Sequence, residues 1–392
     1  MDMERVSYNA PVTASAHDAQ HDSVASPTTA DLAVGLNARI HEALAEGGGW
    51  IGFERYMALA LYAPGLGYYN RGRRVFGSLP SSGSDFVTAP EMSPHFGRAL
   101  AAQLRQALAL TGTREIWEFG AGSGALAAEL LGALGDAVDR YTIVDLSGSL
   151  RERQAATVAE RAGAAAHKLR FADRLPEAIE GVVVGNEVLD AMPVTLLHFD
   201  GRQWQERGVV AHEGGYAWAD RPTGLRPPVD AGFLPGTVTE VHGQARAFIT
   251  TLAHTLKRGA AFFIDYGFPE AEYYHPQRHG GTLMCHHLHL ADTDPLVQVG
   301  EKDITAHVDF TGIALAGQDA GLTVLGYTSQ ARFLVNCGLP ALLEGASVRE
   351  LAQAQKLITE HEMGELFKVI GLATGEGFDA LGFAAGDRSH TL

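Results

Sequence analysis

The stretch Glu118-Phe119-Gly120-Ala121-Gly122-Ser123-Gly124 sets three glycines behind an acid, between an apolar run and a helical pattern. Glycines at such a junction let the backbone approach a ligand, and the helix that follows offers unpaired N–H groups. With Ala125 the stretch also satisfies the dinucleotide pattern G-x-G-x-x-G/A, so the turn alone leaves a nicotinamide enzyme and an adenosyl-cofactor enzyme both open. Asp145 ends the next apolar run about 20 residues on, where an acid accepts hydrogen bonds from two ribose hydroxyls; Leu146 follows it. Glu118 points negative charge at the ligand site. A pyrophosphate is disfavoured there, whereas the ammonium and sulfonium centres of S-adenosylmethionine are attracted. Charge therefore favours S-adenosylmethionine as cofactor, with S-adenosylhomocysteine as product. Asp173, after the third run, is placed to meet the adenine amine or to stand as a plain surface acid.

A fourth run ends Gly185-Asn186-Glu187-Val188-Leu189-Asp190-Ala191-Met192-Pro193. Ligands of open α/β sheets sit beyond the carboxyl ends of the strands, so Asn186 and Glu187 are expected to face the cofactor and its acceptor. Asp190 shares their face if a helical turn starts there, and otherwise reads as a helix-start charge. Cys285, His286, His287 and His289 are metal-ligand types, but adjacent histidines point apart on a strand and no paired ligand motif supports them; no metal is expected. A serine hydrolase is disfavoured as well, since the G-x-S-x-G elbow needs glycine where Ala121 and Ala125 stand.

The elements that must hold these residues alternate strand and helix. Strands are expected at 116–119, 141–145, 169–172, 181–185 and 260–265, with helices at 124–134, 150–161 and 245–256 between them. Continuous apolar strands alternating with helices indicate an α/β fold whose mostly parallel sheet is covered on both faces, a Rossmann-like arrangement. Period-two alternation at 195–199 and 203–210 marks a β-rich insertion, about 196–240, between strands four and five. Ahead of the core (113–340) lies an extension, 34–112, with helices at 36–45, 53–61 and 96–110 and a long Gly/Ser/Pro-rich loop at 71–94. Behind it, 341–392 reads as a helical part dominated by one helix at 348–367. Residues 1–33 are small and polar and are expected to form a loose tail, leaving 34–392 as a single domain.

Composition narrows the setting. Of 392 residues, 30 are basic and 46 acidic, a net charge of −16 that argues against non-specific nucleic-acid binding. No apolar run reaches the roughly 20 residues that span a bilayer. Two cysteines give no disulfide framework, and the chain reads as cytoplasmic. Oligomeric state is not encoded in any motif.

Several longer segments resemble the MidA family. They are Asp85-Phe86-Val87-Thr88-Ala89-Pro90-Glu91-Met92-Ser93-Pro94-His95-Phe96-Gly97, the glycine turn, Asn186 to Val194, Ile264-Asp265-Tyr266-Gly267 and Asp303-Ile304-Thr305-Ala306-His307-Val308-Asp309-Phe310. The resemblance implies a class I methyltransferase fold. It also implies that Thr88, Pro90 and Glu91 close on the cofactor beside Gly120, Gly122 and Gly124. The family's mitochondrial member, an assembly factor of respiratory complex I, dimethylates an arginine of a complex I subunit, so the resemblance implies a protein substrate. Given an arginine acceptor, Glu187, Asp190 and Asp309 are the candidates to grip a guanidinium, and His307 is a candidate proton acceptor. His307 and Asp309 would share a face on an extended segment, or else anchor a loop. This chain has Asp145 where the family more often has Glu, and a His-rich stretch at 282–289. A non-catalytic assembly chaperone and a small-molecule methyltransferase are the competing functions.

Overall fold

Valine-rich runs with no polar alternation can be buried only between two layers, and the computed structural model, which describes residues 28–71, 87–145, 148–230 and 232–392, shows where those layers lie. The five expected strands are β1 (Glu115–Phe119), β2 (Arg140–Val144), β3 (Leu169–Ala172), β4 (Ile179–Asn186) and β5 (Leu256–Phe268). They pair in parallel in the order β3-β2-β1-β4-β5. Val182 and Val184 of β4 pack with Ile116 and Phe262 against the helices Pro94–Thr111 and Ala125–Leu134. Val183, between them, points the other way with Trp117 and Phe263, toward Gly243–Thr255 and Phe310–Asp319. The strand order reverses between β1 and β4, which opens a crevice at their carboxyl ends.

Two more strands complete the sheet, β6 (Thr323–Ser329) and β7 (Phe367–Ala373). β7 runs antiparallel between β5 and β6, giving β3-β2-β1-β4-β5-β7-β6. This corrects the C-terminal helical part. The expected helix at 348–367 stops at Val348–Ile358, an irregular turn follows at Glu360–Gly364, and the chain then enters β7. Every residue of β7 is buried. A strand covered on both faces has no period-two signal and cannot be told from a buried helix by pattern.

The insertion is an antiparallel sheet of Thr195–Phe199, Trp204–His212, Gly215–Pro222 and Val238–Val241, joined at one edge by Ile51–Gly52. Val209 and Leu196 of this sheet share a core with Leu36, Ile40, Phe53 and Tyr56 of the first two helices, Thr29–Glu46 and Phe53–Tyr62. The first helix begins earlier than expected. Thr28 and Asp31 form a reciprocal cap, so residues 29–33 are helical, while the rest of the anticipated tail lies outside the described residues. A small sheet of Met284–His287, Leu290–Asp292 and Asp303–Thr305 adds to the cover and was not anticipated.

Glu240, with no exposed surface, joins the insertion to the segment after β5. Its carboxylate accepts hydrogen bonds from the Thr282 N–H at 2.8 Å, the Leu283 N–H at 3.1 Å and the Tyr273 hydroxyl at 2.8 Å. Glu240→Ala leaves the Thr282 and Leu283 N–H groups without their acceptor, while the Tyr273 hydroxyl keeps Thr282 Oγ1 at 2.9 Å and His242 Nε2 at 3.0 Å, and is expected to cost roughly 2–4 kcal/mol. A urea midpoint equal to that of the parent protein would contradict this account.

Candidate functional site

The crevice between β1 and β4 opens into a cavity of about 650 Å³, inside the range of small-molecule sites. Gly120 follows β1 with φ +66°, and a Cβ there would lie 2.5 Å from Val188 Cγ2, so only glycine lets the two turns nest. Gly122 also lines the cavity. Gly124 does not. It starts the helix Ala125–Leu134 with φ +85°, and a Cβ there would lie 2.9 Å from Gln154 Cα. Gln154 in turn donates to Gly122 O at 3.2 Å and to Asp145 Oδ2 at 2.8 Å, which orients the acid at the end of β2. Thr88, Pro90 and Glu91 reach the same cavity from the extension, and the Ser123 hydroxyl donates to Glu91. Leu146 lies outside the described residues. Asp173 is exposed beyond β3 and is not part of the cavity wall, which corrects its expected place.

The wall is strongly acidic. Glu118 is buried and accepts from the Tyr141 hydroxyl at 2.9 Å; burial raises its carboxyl to about 8. Glu187 is pushed up to about 8 by burial and by Asp190 nearby, and Asp190 to about 6 by burial. The Tyr266 hydroxyl donates to Asp190. Asp303 accepts from the Tyr69 hydroxyl at 2.8 Å, and Tyr69 stacks on Tyr62 with ring centres 5.5 Å apart. No Lys or Arg is among the described residues that line the cavity.

His307 lines the cavity between the rings of Tyr266 (5.2 Å) and Phe268 (5.1 Å). Burial, with Arg278 and Lys368 nearby, lowers it to about 4, so the imidazole is neutral. Asp309 is corrected. Its side chain accepts from Gly312 N–H at 3.1 Å, caps the helix Phe310–Asp319 and takes no part in the cavity wall. A face shared with His307 needs an extended segment, but the strand lasts only from Val308 to Asp309 before the chain turns into that helix.

Asp265, quoted above only as part of the segment from Ile264 to Gly267, has a role that the motifs do not reveal. Its Oδ2 accepts from the N–H groups of Val188 (3.1 Å), Leu189 (2.9 Å) and Asp190 (3.2 Å), and its Oδ1 from Tyr266 N–H (2.9 Å). Burial beside Asp190 and Glu187 raises its carboxyl, and these donors oppose the rise. The acid clamps a turn in which Glu187 adopts φ +54°, a left-handed conformation costly for any residue with a Cβ. The available signal was an acid closing a fully apolar strand. Tyr62 and Tyr69 also line the cavity, as do Asp303, quoted above only as part of a resembling segment, and His286, considered above only as a metal-ligand type; all four arrive from cover elements distant in sequence.

Asn186 Oδ1, Asp190 Oδ1 and His307 Nδ1 are buried without a hydrogen-bond partner, on residues that line this cavity. Buried polar atoms are nearly always paired. An acceptor-rich wall with a glycine cradle therefore fits a ligand that brings N–H or O–H donors and positive charge, as S-adenosylmethionine does.

Asp265→Ala should release the 188–190 turn. Amide hydrogen exchange at Val188, Leu189 and Asp190 is expected to quicken by about tenfold or more, the equivalent of roughly one net hydrogen bond. Unchanged exchange at these three amides would mean that something other than Asp265 holds the turn.

Comparison with known proteins agrees with this geometry. Residues 97–328 match the model of a family described as S-adenosyl-L-methionine-dependent methyltransferases. A COG1565 superfamily member from Burkholderia thailandensis, solved with S-adenosyl-homocysteine bound, is 51% identical, with a TM-score of 0.90 over 93% of this chain and 98% of that one. Curated relatives named as mitochondrial protein arginine methyltransferases, NDUFAF7 or its homologue, are more distant. The Drosophila melanogaster protein is 28% identical over 82% of this chain and 80% of its own length, and the human one 27% over 81% and 78%. Their names overturn the cytoplasmic reading. Two free, buried cysteines indicate a reducing setting at most and do not distinguish one reducing compartment from another. Fold, cofactor and family coincide: the chain has the Rossmann-like class I fold, uses S-adenosylmethionine, and belongs to this methyltransferase family.

Proposed function

We propose that this protein methylates a guanidinium nitrogen of an arginine in a polypeptide. The observation that carries the proposal is the wall opposite the glycine turn, where Glu187, Asp190 and Asp303 stand among Tyr62, Tyr69 and Tyr266 with no Lys or Arg among the described lining residues. A guanidinium supplies the missing positive charge. It is planar and always protonated, it binds carboxylates in bidentate fashion, and it stacks on aromatic rings. The names of the curated relatives support the same acceptor.

In this reading Glu118, Gly120, Gly122, Asp145 and Asn186 hold the cofactor, and Thr88, Pro90 and Glu91 close over it. Gly124 acts by shaping the turn. S-adenosylmethionine, when bound, supplies a methyl group already activated on sulfur, so the protein's task is alignment and charge management. Glu187 and Asp190 grip the guanidinium, and the tyrosines keep water away from it. Methylation leaves one proton to be removed from the acceptor nitrogen. Glu187, raised to about 8, is matched to take it near neutral pH, whereas His307 at about 4 is a neutral hydrogen-bonding wall and not the base. Residues 34–392 act as one catalytic domain, because the extension, the core and the C-terminal part all contribute to the cavity. A subunit of respiratory complex I is the acceptor suggested by the MidA resemblance.

The raised carboxyls set a pH dependence. Each acid is neutral below its pKa and anionic above it, so kcat/KM for a cationic acceptor should rise as pH increases from about 6 to about 8. Glu187→Gln should bind S-adenosylhomocysteine normally but lose about 100-fold or more in methyl transfer and flatten the upper part of that rise. Full transfer by this variant would remove Glu187 from the chemistry.

Quantifying methylated arginines by mass spectrometry in cells with and without this protein tests the acceptor class. Loss of specific methylarginine sites is the expected result. An unchanged arginine methylome would point instead to a small-molecule acceptor or to a non-catalytic assembly role.

A further inference from the structure

A second cavity of about 580 Å³ lies beside the first and shares Leu366 with it. The two are lined by neighbouring positions: Tyr266 and Phe367 face the first, Phe268 and Lys368 the second. The ring of His307, packed near both Tyr266 and Phe268, stands between them. Tyr266 and Phe268 are two residues apart on β5, about 7 Å along the strand. Methyl transfer as described above makes no use of this second space.

Its charges are unevenly spent. Arg388 Nη2 lies 3.2 Å from Glu365 Oε2, and Lys368 Nζ lies 3.7 Å from Glu365 Oε1, so one carboxylate engages both cations. Glu272, Glu360 and Glu362 are further exposed acids around the opening, Glu272 within electrostatic reach of Lys368 and Arg388 as well, so the acids of the lining outnumber its Lys and Arg. Tyr327, only 1% exposed, also lines the cavity, and its hydroxyl is buried without a hydrogen-bond partner. A buried hydroxyl without a partner in the protein has room for one from a ligand or a water.

We propose that this cavity is a docking subsite for a lysine or arginine side chain of the acceptor polypeptide, two residues from the methylated arginine. The inference rests on the arginine reading above. Side chains on one face of an extended peptide repeat about every 7 Å, the step from Tyr266 to Phe268, so one face can fill both cavities. Arg278 already stacks on Phe268 at 4.0 Å, which leaves Leu366 and Pro269 to receive the aliphatic stem. The cationic tip donates to the Tyr327 hydroxyl, and the three exposed glutamates attract it. The net charge of −16 draws a basic segment to this protein as a whole.

The test uses fluorescein-labelled nonapeptides with a central arginine and Lys, Ala or Glu two positions to either side, read by anisotropy on the full-length protein with S-adenosylhomocysteine present. A lysine on one side should tighten binding about 5-fold or more over alanine, and glutamate should weaken it. The double substitution Glu272→Gln with Glu362→Gln should abolish the preference and Tyr327→Phe should reduce it, with S-adenosylhomocysteine affinity unchanged in each. Equal binding of the three flanking residues on both sides, or no binding of any peptide, overturns the subsite. Exchanging the central arginine for norleucine tests the arginine reading separately. If affinity is unchanged by that exchange while the lysine preference persists, the arginine reading fails and the subsite stands.

Discussion

The carboxylate of Asp265 ties the carboxyl end of β5 to the turn that leaves β4. In the parallel pairing of these strands Ile264 lies opposite Asn186, so the next residue on β5 stands level with the turn and can reach its N–H groups. Three backbone donors would otherwise be buried without acceptors, and the left-handed Glu187 would lack the frame that enforces it. Together with the Glu187 N–H bond to Ile264 O at 2.9 Å, this side chain holds the turn that sets Glu187 and Asp190 in the cavity and Val188 against Gly120. The glycine turn and the acidic turn are thus two halves of one construction, joined by the sheet beneath them.

That construction holds carboxyl groups where carboxylates are unstable. Burial raises Glu118, Glu187 and Asp190 well above ordinary values, and no lysine or arginine among the described lining residues relieves them. Such an arrangement detracts from folding stability and is tolerated where a cationic occupant completes it. In the proposed reading, S-adenosylmethionine meets this condition at the Glu118 end, and the guanidinium of the acceptor meets it at the end framed by tyrosines.

The cover is built from pieces far apart in the chain. The second helix and the residues after it provide Tyr62 and Tyr69, and the small sheet after β5 provides Met284, His286 and Asp303. The insertion between β4 and β5 does not itself line the cavity; it carries the first two helices on a shared core and so positions them. Its rigidity depends on buried polar ties such as Glu240, which link the insertion to the segment behind β5.

The amino-acid sequence by itself determined the five parallel strands, the glycine turn, the acids Glu118, Asp145 and Glu187, and the cofactor they imply. These are local facts, because a strand-turn-helix unit and the charge beside it lie within a few residues of one another. The cytoplasmic reading failed since composition carries no compartment beyond a redox preference. Tertiary structure alone decided the rest. β7 was hidden because a strand buried on both faces has no alternation. Asp309 proved to be a helix cap because the strand it was expected to continue ends there. Asp265, Tyr69 and Asp303 gained their places through contacts across strand ends and between cover elements. Periodicity reports which way a side chain faces within its own element, and only the packing of elements decides what it meets.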